Sequence, residues 1–176
     1  MKPHHREERS DATIQGRRGY LSSPALLPEG LDPGAARNAA SGSTKSDHPL
    51  VAIGVGCRAG VSAEAIAALA RRALAAVGEP EGEARMFTLA EKATEDGLIE
   101  AARLIGAALT PLPLAALRAQ AGRVLTPSPK AQALFGAPNI AEAAALAGAG
   151  NGGRLLGPRL AAGGATCAIA LSSERV

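Results

Sequence analysis

The chain has 176 residues, a length typical of one compact domain. Aromatic residues make up 2% and the formal charge is +3 without a polybasic run, so we expect no nucleic-acid partner. The two cysteines are too few for a disulfide framework, and no apolar run approaches the ~20 residues that span a bilayer. We therefore expect a cytoplasmic protein that binds neither nucleic acid nor membrane.

Residues 1–48 differ in composition from the rest of the chain. They combine charged residues with clusters rich in Pro, Gly and Ser, and no helical or strand period persists in them. Such a segment cannot bury enough apolar surface to offset the entropy lost on ordering. We predict a disordered N-terminal tail over residues 1–48 and one folded domain over residues 49–176.

The folded part alternates strand and helix patterns. Short apolar or β-branched runs predict three strands, at 50–56, 84–89 and 108–112. Capping residues and helical spacing predict five helices, starting at Ser62, Thr94, Pro113, Ser128 and Asn139. Residues 154–171 predict two further strands joined by an Ala-Ala-Gly-Gly turn.

This order of elements predicts the fold class. Alternating strands and helices followed by a hairpin are typical of an α/β protein. We expect a single three-layer domain with a mixed, mostly parallel sheet, flanked by helices and ending in a C-terminal β-hairpin.

The segment GVGCRAGVSAE (54–64) lies between a predicted strand and a predicted helix. A strand that turns directly into a helix leaves backbone N–H groups unpaired, and these favour an anion. Its glycines, including Gly56, would let a ligand approach the backbone, and Arg58 adds a guanidinium fork. A tight turn with Ser62 as an ordinary cap explains the pattern equally well. Dinucleotide-binding and P-loop spacings are absent.

The segment LAEKATEDGL (89–98) follows the second predicted strand. Loops at the carboxyl ends of neighbouring parallel strands open into one crevice, so Lys92 and Glu95 are expected to lie near Arg58. The alternative is a solvated surface loop with Glu95 in the first helical turn.

The histidines limit the chemistry that the folded part can perform. His4, His5 and His48 all lie in the tail or at its boundary, so no histidine-based nucleophile or metal site is expected. Cys57 without a histidine partner is better interpreted as a small turn residue, and Cys167 as a core residue. We expect no metal and no cofactor, and acid–base chemistry would need Lys92, Glu95 or Glu142.

Other polar residues have structural explanations. Ser128 is a helix cap, and Glu142 stands three residues after Asn139, as in a capping box. Arg159 on an edge strand is explained by solubility, and Thr166 opens the last strand.

Five segments, in order, resemble a known family: GVGCRAGVS (54–62), EKATEDGL (91–98), TPSP (126–129), NIAEAAAL (139–146) and GPRLAAGGATCAIA (157–170). They are similar to the motifs of the cobalamin biosynthesis family that comprises CobE and the C-terminal domain of CbiG. The resemblance covers about residues 50–171. Residues 1–47 have no counterpart that we recognise, and no segment resembles the N-terminal region of CbiG.

The resemblance implies a role in cobalamin (corrin) biosynthesis, in its aerobic branch, and places several residues on the family's motifs. The implied substrate-binding residues are Gly56, Cys57, Arg58, Ser62, Lys92, Ser128, Glu142, Arg159 and Thr166. Lys92 and Glu95 are the implied catalytic candidates. The implied partners are a precorrin or corrinoid intermediate and other enzymes of the pathway.

Three functions remain open at this point. The first is a carrier or accessory factor that binds a polycarboxylate precorrin. The second is a hydrolase or C–C-cleaving enzyme acting on a precorrin, as CbiG opens a lactone on a cobalt-precorrin. The third is a phosphate- or nucleotide-binding domain.

Overall fold

A computed structural model of the chain describes residues 48–175, whose centre is a six-stranded mixed sheet. The strands are β1 (Pro49–Cys57), β2 (Glu83–Leu89), β3 (Ala108–Leu112), β4 (Arg154–Leu155), β5 (Leu160–Ala162) and β6 (Ala165–Arg175). The helices are α1 (Ala63–Ala76), α2 (Asp96–Ile105), α3 (Leu114–Arg118), α4 (Pro129–Phe135) and α5 (Ile140–Ala149). Short 3₁₀ turns occupy Ala90–Lys92 and Ala121–Arg123.

The sheet order is β3-β2-β1-β6-β4, and β5 pairs with β6 beside this path. β1, β2 and β3 are parallel neighbours, because α1 and α2 carry the chain back between them. β6 is antiparallel to β1, β4 and β5, so it alone opposes the direction of the other five strands. The predicted mixed, mostly parallel sheet with a terminal hairpin is confirmed.

Side chains alternate along β1 between two apolar layers, because successive strand residues face opposite sides of a sheet. Val51, Ile53 and Val55 join the cluster formed with α1 and α2. Leu50 and Ala52 join the cluster that contains most of α5 and Leu117 of α3. This arrangement gives the three layers predicted from the sequence.

Gly54 determines how closely α5 approaches the sheet. A Cβ atom at this position would lie 2.0 Å from the carbonyl oxygen of Ala141 and 2.4 Å from the backbone nitrogen of Ala145. The expectation that every glycine of the 54–64 segment serves a ligand is therefore wrong for Gly54, whose missing side chain makes room for a helix.

Two details differ from the predictions. Glu95, not Thr94, occupies the N-cap position of α2; its carboxylate makes no cap hydrogen bond and is bonded to Lys92. The first hairpin strand is divided into β4 and β5, and only β5 continues through Gly163 and Gly164 into β6.

The disorder predicted for residues 1–48 concerns residues that, apart from His48, lie outside the described range. Among residues 48–175, no helix is both long and apolar enough to cross a lipid bilayer.

Candidate functional site

A cleft of about 320 Å³ opens where β1 and β2 end and β6 begins. Cys57 at the end of β1 and Arg58 directly after it line the cleft, and so does Lys92 in the 3₁₀ turn that follows β2. Arg58 and Lys92 thus line one cleft, as predicted from the sequence. Its other lining residues are Gly56, Leu89, Ser128, Lys130, Ala131, Leu134, Phe135, Asn139, Ile140, Arg159, Gly164 and Thr166.

The floor of the cleft is held by bonds between β1 and the hairpin. The Arg58 backbone N–H donates to the carbonyl oxygen of Gly164 at 3.0 Å. The Thr166 hydroxyl donates to the carbonyl oxygen of Gly56 at 3.1 Å. Gly163 and Gly164 both have positive φ, 57° and 84°, which lets the hairpin turn tightly beside Arg58.

Lys92 and Glu95 form a partly buried ion pair at the side of the cleft, with Nζ 3.1 Å from Oε1. The hydrogen bond from Lys92 lowers the pKa of Glu95, outweighing the effect of burial, and the backbone N–H of Gly60 lowers it further. Glu95 is therefore a carboxylate at neutral pH.

Glu142 lies on α5 with no exposed surface, behind the wall of the cleft. Its carboxylate accepts the backbone N–H of Leu125 at 2.7 Å, of Thr126 at 2.9 Å and of Arg159 at 3.0 Å. It also accepts the Thr126 hydroxyl. Burial alone would raise the pKa of Glu142, but these hydrogen bonds outweigh it and hold the pKa below its usual value.

The capping-box interpretation of Glu142 is correct for its backbone only. The Asn139 side chain accepts the Glu142 N–H at 3.2 Å, as predicted. The Glu142 carboxylate, however, binds the loops that carry Ser128 and Arg159 instead of turning back to its own helix. Asn139 supports the same loop by donating to the Thr126 carbonyl oxygen at 2.8 Å.

The charge of the cleft is positive. Its lining includes four basic side chains, Arg58, Lys92, Lys130 and Arg159, and no acidic residue from the described part of the chain. Within residues 48–175, Lys92 forms an ion pair with Glu95, and the other three basic residues of the cleft form none. Three cations are thus available to an anionic ligand.

Most of the site residues predicted from the sequence lie together here. The cleft is lined by Gly56, Cys57, Arg58, Lys92, Ser128, Arg159 and Thr166. Ser62, Glu95 and Glu142 lie outside the lining: Ser62 accepts the Ala65 N–H as the cap of α1, Glu95 binds Lys92, and Glu142 binds loops.

Sequence reasoning missed Lys130 and Leu134. Both lie on α4, four residues apart and therefore on one helical face, directly after the Ser128 cap. This spacing was visible in the sequence, but the direction of that face was not.

The two cysteines have different environments. Burial raises the pKa of the Cys57 thiol, although Lys92 opposes this effect. Burial raises the pKa of Cys167 to about 12. Neither is a thiolate at neutral pH. Cys167 is a core residue, as expected, whereas Cys57 is the last residue of β1 and not part of the turn.

Comparison with known proteins gives concordant results. Residues 51–170 match the family model described as cobalamin synthesis G C-terminus. Protein CobE from Sinorhizobium sp. is 36% identical over 129 residues, which are 73% of this chain and 83% of that protein.

Two solved structures are also similar. The crystal structure of CobE, a protein from the cobalamin (vitamin B12) biosynthetic pathway, matches with a TM-score of 0.65 and 36% identity, over 70% of this chain and 90% of that one. Cobalamin biosynthesis protein chiG from Agrobacterium tumefaciens matches with a TM-score of 0.56 and 36% identity, over 70% and 99% of the two chains. The family match, the identity and the shared fold together mean that this chain belongs to the CobE and CbiG C-terminal family of cobalamin biosynthesis proteins.

Proposed function

We propose that this protein binds a precorrin or corrin intermediate through its carboxylates, as a carrier or accessory factor in aerobic cobalamin biosynthesis. The observation that carries the proposal is the set of four basic side chains around one cleft, which no acidic residue of the described range 48–175 lines. Precorrins carry acetate and propionate groups around the ring, so several carboxylates of one ligand can meet several cations at once.

The geometry supports recognition of carboxylates in particular. Arg58 and Arg159 offer planar guanidinium groups that suit carboxylates, and Lys92 adds a point charge that it shares with Glu95. One hydrogen bond to a charged group contributes ~1.5–3 kcal/mol. Three such contacts are enough for micromolar binding after the cost of association.

The direct test is an absorbance titration with cobyrinic acid, a corrin whose acetate and propionate side chains are free carboxylates. Its methyl ester has the same ring without those charges and serves as the matched ligand. We expect binding of the acid that weakens with rising salt, because exposed charges are screened, and much weaker binding of the ester. Equal affinity for both would contradict recognition through carboxylates.

Variants make the test specific to the cleft. We expect Arg58→Ala and Arg159→Ala each to weaken binding about tenfold, since 1.4 kcal/mol corresponds to a factor of ten. Arg72→Ala removes an exposed arginine of α1 that does not line the cleft and serves as the control. If all three variants bind equally well, the ligand does not occupy this cleft.

A second candidate function is hydrolysis or C–C cleavage on a precorrin, and it is favoured by the position of Lys92 in the cleft beside Cys57. The lowered pKa of Glu95 leaves this carboxylate without a proton to donate at neutral pH and makes it a weak proton acceptor, which argues against it as the general acid or base. Product analysis during the titration distinguishes the two functions: an enzyme changes the ligand, and Lys92→Ala abolishes turnover while binding persists.

A nucleotide-binding function is less well supported, because Ser62 lies outside the cleft and its side chain accepts the Ala65 N–H of α1. Titration with ATP in the same assay tests this third function. Tight binding of ATP but not of cobyrinic acid would favour it over both others.

A further inference from the structure

The most exposed of the large apolar side chains in the described residues is Leu134, which is 63% exposed and lines the positive cleft. A single exposed leucine on a protein surface is ordinary and needs no explanation. Leu134 is different because it stands within a cleft whose other prominent feature is positive charge.

Backbone and polar contacts at its two ends hold α4 in place. Ser128 caps its first turn, and the Ser128 N–H donates to the Pro138 carbonyl oxygen at 2.6 Å. At the other end, the Arg118 guanidinium donates to the Phe135 carbonyl oxygen at 2.9 and 2.7 Å. None of the seven residues of α4 is buried, and only Phe135 packs against the core. Ala131 and Leu134 therefore remain available to a ligand.

The size of the cleft gives a second, independent argument. Its volume of about 320 Å³ is at the low end of the ~300–1,000 Å³ that hold drug-sized ligands. A corrin with its acid side chains is larger, so the cleft can receive one edge of it. The rest of the ring then lies outside the cleft, and its apolar face would be exposed to water unless an apolar protein surface beside the cleft covers it.

Resting on the proposed function, we propose that α4 is the wall against which the ring of the bound corrin lies. Leu134, with Ala131 beside it, contacts the ring face, and Lys130 binds one of the carboxylates at its rim. A ring with apolar faces and an anionic edge is complementary to a helix that places Lys130 and Leu134 on one side.

The test uses cobyrinic acid and three variants of the full chain. We expect Leu134→Ala and Lys130→Ala each to weaken binding about fivefold to tenfold, since each removes one ligand contact. Leu104→Ala is the control, because Leu104 is also exposed, at 42%, but lies on α2 outside the cleft lining. Affinity of Leu134→Ala within twofold of the unchanged protein would overturn the inference.

A fluorescence measurement tests the contact directly. The chain has no tryptophan, so Leu134→Trp introduces a single indole on α4 and Leu104→Trp a single indole on α2. We expect bound cobyrinic acid to shield the first indole from acrylamide and to leave the second accessible. Equal accessibility of the first indole with and without ligand would also overturn the inference.

These outcomes separate the inference from the proposed function. If Arg58→Ala weakens binding but the α4 variants do not, the cleft binds the ligand without α4 and only the inference fails. If the unchanged protein does not bind cobyrinic acid at all, the proposed function fails and the inference fails with it.

Discussion

The Glu142 carboxylate accepts the backbone N–H of Arg159 at 3.0 Å, which joins helix α5 to the loop between β4 and β5. The same carboxylate accepts the amides of Leu125 and Thr126 in the loop that leads to α4. One buried side chain thus holds two of the loops that line the cleft. All of the groups that donate to Glu142 are uncharged, since they are backbone amides or a hydroxyl. The carboxylate is therefore stabilised by hydrogen bonds and not by a cation.

The first prediction concerns Glu142 as an organiser of these loops. Glu142→Ala leaves three amides and one hydroxyl without their acceptor, and we expect the free energy of unfolding to fall by ~3–5 kcal/mol. Urea denaturation measures this change. Glu100→Ala, on the exposed side of α2, is the control and should change it by less than ~0.5 kcal/mol. A loss of ~1 kcal/mol or less for Glu142→Ala would show that water replaces the carboxylate.

The second prediction is the pH dependence of that contribution. The pKa of Glu142 in the folded protein lies below the ~4.3 of an unfolded chain, so its ionised form stabilises the fold above that pH. The stability is lost as the pH falls through the folded pKa. We expect the difference in unfolding free energy between the unchanged protein and Glu142→Gln to be largest above about pH 5 and to shrink below it. A difference that stays constant down to acid pH would contradict the lowered pKa.

The third prediction concerns the close contact between β1 and α5. Gly54→Ala places a methyl group 2.0 Å from the Ala141 carbonyl oxygen, so α5 must move away from the sheet. We expect a loss of ~3 kcal/mol or more, at the upper end of what overpacking costs. The melting temperature measures it. Gly122→Ala is the matched control, because no atom lies within 4 Å of its new methyl group.

The fourth prediction concerns Glu95 as a competitor of the ligand for Lys92. Glu95→Gln removes the negative charge 3.1 Å from Lys92, and we expect cobyrinic acid to bind about twofold to fivefold more tightly. Glu91→Gln, one residue before Lys92 and exposed, is the control. Weaker binding in Glu95→Gln would mean that the carboxylate is needed to hold Lys92 in place. Loss of turnover with unchanged affinity would favour the enzymatic function.

The fifth prediction concerns the reactivity of the two thiols. Because burial raises the pKa of Cys57, iodoacetamide should modify it more slowly at pH 7.5 than it modifies a free cysteine. Cys167, with a pKa of about 12, should stay unmodified until the protein unfolds. Mass spectrometry of timed samples identifies the modified residue. Saturating cobyrinic acid should protect Cys57, which lines the cleft, and lack of protection would argue against occupancy.

Local patterns in the sequence were sufficient for most of the fold. The apolar run of β1 predicted a buried strand, and the glycine pair predicted the hairpin turn. The caps predicted three helix starts, at Ser62, Ser128 and Asn139. Each of these signals depends only on residues that are close in the sequence. The Thr94 cap was wrong by one residue, because a cap preference does not fix the exact residue at which a helix begins.

The cleft itself was predictable only in part. Parallel strands end at one edge of a sheet, so Arg58 and Lys92 could be expected to meet. Lys130 and Leu134 could not be assigned to the same cleft, because nothing within α4 determines the direction in which a helix with no buried residue points.

The sequence by itself determined the order of elements, the mixed sheet and the basic turns after β1 and β2, because these follow from periodicity, capping and chain direction over a few residues. Only the tertiary structure decided that Gly54 serves helix packing, that Glu142 binds loops 16 and 17 residues away, and that α4 completes the cleft. Those features depend on which distant groups satisfy a buried polar atom or fill a space, and that is settled by the packing of the whole domain.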